Sequence, residues 1–508
     1  MSDEGSRPVT QVNRPQGPSD AEAASGGTRR GGLAHNVLGL WDGMVLGFAS
    51  AAPGVSVAGV LGGLAGASGY GAVLALLAGF VPLVCIAFGF YHLNRWRADV
   101  GISYAWIGRI LSPMAGAFVG LLIIIAFVVS NSFSLIPAAT NFLTLFSPAA
   151  ATNNWLVTVF GTVFLVFITG LVVAGIRLAA RFQWVISSFE MLVLLVFGAL
   201  ALSHGLHGHA AGAAGTAVPS VSWFSLHAAG GGAGLVAGLL ISVFWYSGWE
   251  TAVVVNEETK RARVNPGLAG IGSLVAVLLI SVVLAMLFFT DVSPAAMNSN
   301  AGWLTQTGLD LAGRPWGYVL TFAILLGYLG GIETTIITFG NVGYSMGRDG
   351  VLWRSFARVS DRTKMPWIAI LVLTVPSFLM FILQVWTSGA SLAAILGDLA
   401  SSLGLMFVVY YALTGVASAW MLRKVARKSV STALSGVLLP LAGAGILVWI
   451  GIRSWGQSAT SVRITWIVAM ALSVAGVLIS RYAGKSAFYR QVVRRPVSSA
   501  ELQEAETS

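Results

Sequence analysis

Carboxyl groups within otherwise apolar stretches are the residues of this sequence best suited to chemistry. They are Asp42, Glu190, Glu250, Glu333 and Asp398, and we find no Lys or Arg deep in these stretches. An ionised group without a partner in apolar surroundings is costly. Such a carboxyl group can stay protonated, accept hydrogen bonds from unpaired backbone N–H groups, or bind a cation. The first and the third of these roles are the chemistry of proton and solute transport.

Glu250 differs from the other acids because it ends an interruption in a long apolar run. The run begins near Gly232, is interrupted by Tyr246-Ser247-Gly248-Trp249-Glu250, and resumes before it ends at Asn256. In a lipid bilayer, irregular backbone survives only where protein buries it or where it lines a cavity. A broken membrane span with a polar centre is typical of the substrate site of a secondary transporter.

A second interruption lies in the first apolar run, in the sequence GFASAAPG from Gly47 to Gly54. Pro53 removes a helical hydrogen bond and clashes with the preceding turn. The adjacent Ser and Gly favour local unwinding, and a proline kink in a packed helix is the alternative. Unwinding exposes N–H groups on one half-helix and C=O groups on the other, which suit a carboxylate and an ammonium group respectively. An amino acid carries both groups.

Composition places the chain in a membrane. Of its 508 residues, 56% are hydrophobic and 9% are charged, whereas soluble proteins carry about 25% charged residues. The apolar runs reach about 20 residues, which indicates membrane helices and not the alternating strands of a barrel. We interpret the net charge of +10 as basic loops at one membrane face, and we expect no nucleic-acid partner.

We predict about twelve membrane spans. Their approximate bounds are 36–64, 71–94, 113–142, 155–174, 182–203, 233–255, 268–290, 316–345, 367–386, 391–422, 432–452 and 464–482. An even number of spans puts both termini on one side. If that side is the cytoplasm, only Arg314, Arg453 and Arg463 of the 29 Lys and Arg residues lie outside. The positive-inside rule therefore predicts cytoplasmic termini.

Polar segments flank the predicted spans at both ends. Residues 1–33 are predicted to be a disordered cytoplasmic tail and residues 486–508 a second cytoplasmic tail, with one transporter domain over residues 34–485. The loop from Ser203 to Ser220 contains three histidines whose spacing fits a metal site only loosely. We predict a solvated loop there, with no metal and no cofactor.

Three motifs in order resemble the amino acid/polyamine/organocation (APC) permease superfamily over about residues 35–485. They are GIRLAARFQWVISSFE at the start of the fifth span, FWYSGWETAVVVNEETKRARVNP in and after the sixth, and GYSMGRDGVLWRSFARVSDRTKMPW after the eighth. The first-span motif GFASAAPG resembles a subgroup of actinobacterial permeases within that superfamily. The resemblance implies an all-α integral membrane protein with a five-plus-five inverted repeat (LeuT-like or APC fold), broken helices 1 and 6, and alternating access.

The resemblance also implies roles for individual residues. In the first break, relatives bind the carboxylate of the substrate at the positions of Ser50, Ala51, Ala52 and Gly54. In the second break, relatives bind its amino group and gate access at the positions of Tyr246, Ser247, Gly248 and Trp249. Glu250 matches an acid implicated in proton coupling. Glu190 stands where many relatives have a lysine, which removes the usual cation near the first break.

The remaining acids have weaker claims to a function. Glu333 follows two glycines that permit close helix approach, and we predict that it joins Glu250 and Glu190 in coupling or proton binding. A protonated packing residue is the alternative for Glu190. Asp42 lies near the inner end of the first span, which favours a capping role, and Asp398 lies near the outer half of the tenth.

Two threonines of the eighth span, Thr334 and Thr335, allow a sodium site together with carbonyl groups of the first span. Threonine hydroxyls also form hydrogen bonds between membrane helices, and this alternative is favoured here.

These features predict a permease that moves amino acids or related amines across the cytoplasmic membrane by proton-coupled symport or exchange. A polyamine or organocation carrier is the alternative within transport, and a membrane sensor without net flux is the alternative outside it. We predict no enzymatic activity, because no convincing metal cluster or nucleophile–base pair lies within the spans. The expected partners are a small-molecule substrate, a proton or sodium ion, and the lipid bilayer.

Overall fold

The structure, a computed structural model, describes residues 32–207, 218–300, 302–387, 392–482 and 486–490. Most of the two predicted tails, and residues 208–217 of the histidine-containing loop, lie outside the described residues.

Apolar helices long enough to cross a bilayer follow one another along the described chain. We number them α1 (Leu40–Ala51 and 53–68), α2 (Ala72–Trp96), α3 (Pro113–Thr144), α4 (Asn154–Ala174), α5 (Ile176–Leu206), α6 (Gly231–Tyr246 and Thr251–Val254), α7 (Asn265–Phe288), α8 (Trp316–Arg348), α9 (Trp367–Thr387), α10 (Leu392–Leu422), α11 (Val430–Trp455) and α12 (Thr460–Tyr482). The prediction of an all-α membrane protein with about twelve spans is confirmed.

Most helix bounds differ from the predicted ones by a few residues, and the start of α5 differs most. This helix begins at Ile176, directly after Gly175, and not near residue 182. Its first turns contain Arg177 and Arg181, which the hydropathy of the sequence assigned to a loop. Long basic side chains extend from a helix end toward the membrane surface, so charge does not mark the end of a helix.

Several short helices lie between the spans and were not predicted. Ser103–Ile110 packs against α3, and Trp303–Ala312 packs against α8. The first of these is almost entirely buried, which shows that the loop between α2 and α3 is part of the folded core.

The helix α8 forms the centre of the bundle. In its most apolar 18-residue window, 89% of residues are buried, compared with 22% in the corresponding window of α12. It packs against α1, α3 and α5. The polar residues of α8 are therefore enclosed by protein, while α12 exposes apolar side chains such as Leu472 and Ile479, as expected of a helix that faces lipid.

The helices α1 and α6 cross each other at their breaks. The segment Leu40–Ala51 of α1 packs against Thr251–Val254 of α6, whereas Leu61–Ser68 packs against Gly231–Tyr246. Each half of one helix thus meets the opposite half of the other, which is the antiparallel relationship that an inverted repeat requires. Both helices predicted to be broken are broken in the structure.

Candidate functional site

The break in α1 is centred on Ala52, which has left-handed backbone angles of φ 44° and ψ 63°. The first half of the helix ends there, and Pro53 begins the second half. Proline suits the first position of a helix because its missing N–H group would have no acceptor there. The N–H group of Ser56 donates to the carbonyl of Ala52 and starts the new hydrogen-bond ladder.

The break in α6 contains an extended residue followed by a glycine with positive φ. Ser247 has φ −64° and ψ 151°, and Gly248 has φ 101°. The hydroxyl and the N–H group of Ser247 both donate to the carbonyl of Phe244, at 2.6 and 2.9 Å. These bonds end the first half of the helix and turn the chain away from its axis.

A small cavity of about 30 Å³ lies at the crossing of the two breaks. Hydroxyl groups and phenylalanine rings form most of its wall. The lining residues are Ser50, Ala51, Ala52, Val55, Ser56, Phe127, Ser130, Phe133, Ser134, Phe244, Ser247, Gly248, Gly331, Thr335 and Phe407. Five of the predicted substrate-binding residues therefore meet around one cavity.

Two half-helix ends border the cavity. The first N–H groups of a helix have no acceptor within it, and the last carbonyls have no donor. The second half of α1 begins beside Ala52 and Val55, and the first half of α6 ends beside Ser247, all of which line the cavity. The cavity therefore combines the positive end of one helix dipole with the negative end of another.

Glu250 is buried behind the second break, on the side of α10, and is not among the residues that line the cavity. Its Oε2 accepts hydrogen bonds from the N–H group of Gly248 at 3.0 Å and from the hydroxyl of Tyr411 at 2.7 Å. Its Oε1 has no hydrogen-bond partner among the described residues. The carboxyl group thus connects the broken segment of α6 to α10.

Two other predicted residues of the second break also point away from the cavity. The hydroxyl of Tyr246 donates to the carbonyl of Leu76 in α2 at 3.0 Å. The indole of Trp249 packs against Phe90 and Tyr411, with ring centroids 4.9 and 6.2 Å apart. In this conformation both rings hold α6 against α2 and α10, and their predicted contact with the substrate remains a prediction.

Glu190 lies between α1 and α8, directly beside the first break. A methyl group on Gly54 or on Gly327 would come within 1.9 Å of its Oε1. The carboxyl group of Glu190 therefore occupies the space that a side chain at either glycine position would need. Oε1 has no hydrogen-bond partner among the described residues, and the side chain is buried. Glu190 is thus near the site but is separated from the cavity by the backbone of α1.

The other acids are not among the residues that line the cavity. Glu333 is fully buried in α8, and neither of its carboxylate oxygens has a partner among the described residues. Asp42 accepts hydrogen bonds from the N–H group of Gly39 at 2.7 Å and from the indole of Trp184 at 3.0 Å, which is the predicted capping role. Asp398 accepts a hydrogen bond from the hydroxyl of Ser461.

Of the two threonine hydroxyls of α8 considered above, that of Thr335 bonds another helix and that of Thr334 does not. Thr334 donates within α8, and Thr335 donates to the carbonyl of Ile332 while accepting from Asn131 of α3 at 3.1 Å. Thr335 also lines the cavity. The bond between Asn131 and Thr335 agrees with the alternative that threonine holds the helices together.

A network of charged residues closes the end of the bundle that we call the basic face, formed by residues 97–110, 257–264 and 348–364. Asp99 is buried, and its Oδ1 lies 3.0 Å from a guanidinium nitrogen of Arg348. Arg97 and Arg109 lie at 3.5 and 3.9 Å from Oδ2. Burial raises the pKa of Asp99, but the three guanidinium groups outweigh burial and hold this pKa below its usual value.

Two consecutive glutamates after α6 join this network in different ways. Glu257 forms an ion pair with Arg348 at 2.9 Å. Glu258 is fully buried, and its Oε2 accepts a hydrogen bond of 3.4 Å from Asn341 of α8. The pKa of Glu258 is raised to about 8, mainly by burial, with a smaller lowering by the hydrogen bond from Asn341 and a smaller raising by the charge of Glu257. Glu258 therefore carries a proton at neutral pH while this face is closed.

The segment before α1 also seals the basic face. The N–H groups of Val37 and Leu38 donate to the carbonyl of Glu258 at 2.9 and 3.1 Å, and the N–H group of Lys260 donates to the carbonyl of Leu38 at 2.9 Å. This short parallel pairing fixes the start of α1 to the end of α6. An opening of this face must break it.

The opposite face of the bundle is wider. A second cavity, of about 420 Å³, begins one helical turn beyond the first, at Ala58 and Gly59 of α1 and Pro137 of α3. The central cavity thus lies between the closed basic face and this larger cavity.

Sequence reasoning missed the part of the cavity wall that does not come from α1 or α6. Phe133 and Ser134 of α3 and Phe407 of α10 lie in continuous helices, and no break or charged residue is adjacent to them. The pair Gly330-Gly331 beside Glu333 was the one available signal, because adjacent glycines in a membrane helix indicate a close approach or a space.

Comparison with known proteins agrees with this architecture. Residues 38–479 match the model of an amino acid permease family, and this match does not distinguish subgroups. The chain matches none of the curated proteins with which it was compared. The matched region runs from the segment before α1 into α12 and includes both breaks and the cavity. The chain therefore belongs to the amino acid permease family of the APC superfamily and is a multi-pass membrane protein of a transporter family.

Proposed function

We propose that the protein moves amino acids across the cytoplasmic membrane by alternating access, as a proton-coupled symporter or exchanger. The observation that carries the proposal is the cavity at the crossing of α1 and α6, which is bordered by the start of one half-helix and by the end of another. A zwitterion can place its carboxylate at the N-terminal end of one half-helix and its ammonium group at the C-terminal end of the other. In this proposal Ser50, Ala51, Ala52 and Gly54 bind the carboxylate, and the residues 246–249 bind and enclose the ammonium group.

A polyamine or organocation is the second candidate substrate. The buried acids favour it, because a cation needs a negative partner. However, Glu190, Glu250 and Glu333 are not among the residues lining the cavity. A polyamine would also leave the N–H groups of the first break without an anion, so the amino acid is the better candidate.

The coupling ion is proposed to be a proton, which these buried carboxyl groups can carry. Glu250 is the leading candidate, because it bonds both the break in α6 and Tyr411 of α10, so that a change in its charge acts on two helices that border the cavity. Glu190 and Glu333 are further candidates. The distribution of Lys and Arg supports a cytoplasmic basic face and cytoplasmic termini.

Ligand binding to the purified protein tests the proposal. Thermal unfolding of the detergent-solubilised protein is followed with individual amino acids and with putrescine, each with and without sodium. An amino acid at about 100 times its Kd should stabilise the folded protein by about 2.7 kcal/mol. In proteoliposomes, an inward proton gradient should then drive accumulation of that amino acid, and a protonophore should abolish it.

Three outcomes would count against the proposal. Stabilisation by putrescine but by no amino acid would favour the organocation carrier. Stabilisation without flux in either direction would favour a membrane sensor. Accumulation of the amino acid that requires sodium and does not depend on the proton gradient would contradict the proposed coupling role of the carboxyl groups.

A further inference from the structure

The wall of the central cavity that lies away from the two breaks has no ionisable side chain. We call this wall the side-chain subsite, and it is formed by Phe127, Ser130, Phe133, Ser134, Gly331, Thr335 and Phe407. If the breaks bind the ammonium and carboxylate groups of an amino acid, its side chain must point toward this wall. The wall then selects among amino acids.

The subsite offers no partner for a charge. The rings of Phe127, Phe133 and Phe407 dominate it, and Glu190 and Glu250 are directed elsewhere, against Gly54 and Tyr411 respectively. Transfer of an unpaired charge from water to such a site costs far more than the apolar contacts return. A lysine, arginine or glutamate side chain is therefore excluded, whereas an uncharged side chain is accepted.

Most hydroxyl groups of the subsite are already used by the protein. Ser134 donates to the carbonyl of Ser130 at 3.0 Å, and Thr335 bonds Ile332 and Asn131. Ser130 lines the cavity, and its hydroxyl can meet a small polar side chain. The subsite thus suits apolar and hydroxyl-bearing side chains.

Gly331 differs from the other glycines of α8 in the space beside it. A methyl group on Gly331 would meet only the Cβ of Ala52, at 3.8 Å, which is an ordinary contact distance. A methyl group on Gly327 would instead overlap Glu190, and one on Gly330 would come within 2.6 Å of Gln183. Packing therefore does not require glycine at position 331, and its missing side chain is space that belongs to the cavity.

We propose that the cavity accepts amino acids with uncharged side chains and that Gly331 sets the largest side chain that fits. This inference rests on the proposed function and adds a substrate class and a size-determining residue to it. Gly331 touches the substrate side chain and takes no part in the coupling of transport to protons.

Competition experiments with the full-length protein in proteoliposomes test both parts of the inference. Exchange of radiolabelled L-alanine is measured against unlabelled L-serine, L-leucine, L-phenylalanine, L-lysine, L-glutamate and putrescine. The wild-type protein should be inhibited by serine, leucine and phenylalanine and not by the three charged compounds. Gly331→Ala should raise the inhibition constants of leucine and phenylalanine by at least about tenfold and change those of alanine and serine much less.

Gly445→Ala is the matched control. It makes the same substitution in the membrane helix α11, where a methyl group would meet no atom within 4 Å. This variant should keep the wild-type inhibition constants, and the melting temperatures of both variants should equal that of the wild type.

The outcomes separate this inference from the proposed function. Inhibition by lysine, glutamate or putrescine as strong as by leucine would overturn the substrate class, while amino acid transport would stand. If Gly331→Ala raised the inhibition constants of alanine and phenylalanine by the same factor, the proposed role of Gly331 would be overturned. Absence of exchange with every amino acid would overturn the proposed function and this inference with it.

Discussion

Gly248 of α6 lies directly against the backbone of Ser50 of α1, so that a methyl group on Gly248 would come within 2.6 Å of the carbonyl oxygen of Ser50. The hydroxyl of Thr251 donates to the hydroxyl oxygen of Ser50 at 2.8 Å on the same side. The two breaks therefore touch through backbone atoms, and a displacement of one must move the other. This contact explains how binding at either break can be transmitted to both helices.

Replacement of Gly248 by alanine tests this contact. Gly248 has φ 101°, where an alanine is strained by an amount of the order of 1–3 kcal/mol. The clash with Ser50 adds to that cost. We expect Gly248→Ala to lower the melting temperature and to abolish substrate binding, measured by thermal unfolding with and without the amino acid. Gly445→Ala, in open space on α11, should do neither. A Gly248→Ala variant that binds like the wild type would show that the contact is dispensable.

Glu250→Gln tests the coupling role of the carboxyl group. Glutamine keeps an oxygen that can accept from the N–H group of Gly248 and the hydroxyl of Tyr411, so the fold should be retained. The side chain can no longer gain or lose a proton. We expect exchange of substrate across the proteoliposome membrane to persist, while accumulation driven by a proton gradient falls to the level of the protonophore control. Full gradient-driven accumulation by Glu250→Gln would reject the role.

Tyr411→Phe is the companion variant for Glu250. It removes one of the two hydrogen bonds to Oε2 but leaves the titratable group in place. We expect the pH at which accumulation is half-maximal to shift upward, because a hydroxyl donor stabilises the ionised form of a carboxyl group. An unchanged pH profile would show that this hydrogen bond does not tune coupling.

The position of Glu190 between two glycines is tested by a double-mutant cycle. Gly327→Ala places a methyl group where the carboxyl group of Glu190 lies, so it should lower the melting temperature and reduce uptake. Glu190→Ala removes the obstructing atoms, and the double variant should regain stability relative to Gly327→Ala. Residues in contact show interaction energies of about 0.5–3 kcal/mol in such cycles. Strictly additive effects would show that the carboxyl group moves aside freely.

Glu258 makes the stability of the closed basic face depend on pH. Its pKa is about 8 in the folded protein, compared with 4.5 for the unperturbed group. The unfolded chain therefore loses this proton first as the pH rises, and the stabilising contribution of Glu258 is complete below about pH 4.5 and is lost by about pH 8. Glu258→Gln replaces the carboxyl group by an amide, which is neutral at every pH of the experiment. The melting temperature of the variant relative to the wild type should rise progressively between pH 5 and pH 8.

The matched comparison for Glu258 is Asp99, whose pKa is held below its usual value by neighbouring arginines. Asp99→Asn removes a charge that stabilises the face, so its effect on the melting temperature should be largest above the usual pKa of an aspartate and should vanish as the pH falls through the folded pKa. A difference between Glu258→Gln and the wild type that is constant with pH would contradict the assignment of the proton to Glu258.

The sequence by itself determined the membrane helices and the positions of both breaks, because these are local properties. A run of about 20 apolar residues forms a helix in lipid whatever surrounds it, and Pro53 or Gly248 interrupts a helix through its own backbone chemistry. The resemblance of motifs around these breaks also identified the family, which the match over residues 38–479 confirms.

Only the tertiary structure decided which side chains face the cavity. Glu250, Tyr246 and Trp249 are adjacent in sequence to Ser247 and Gly248, yet they point to α2 and α10, because the backbone leaves helical geometry at Ser247 and Gly248. The walls from α3 and α10 carry no local signal, and α8 offers only the pair Gly330-Gly331, since the rotation of a continuous helix is fixed by its neighbours. The same holds for Asp99 and Arg348, which are distant in sequence and meet only when the helices pack and the basic face closes.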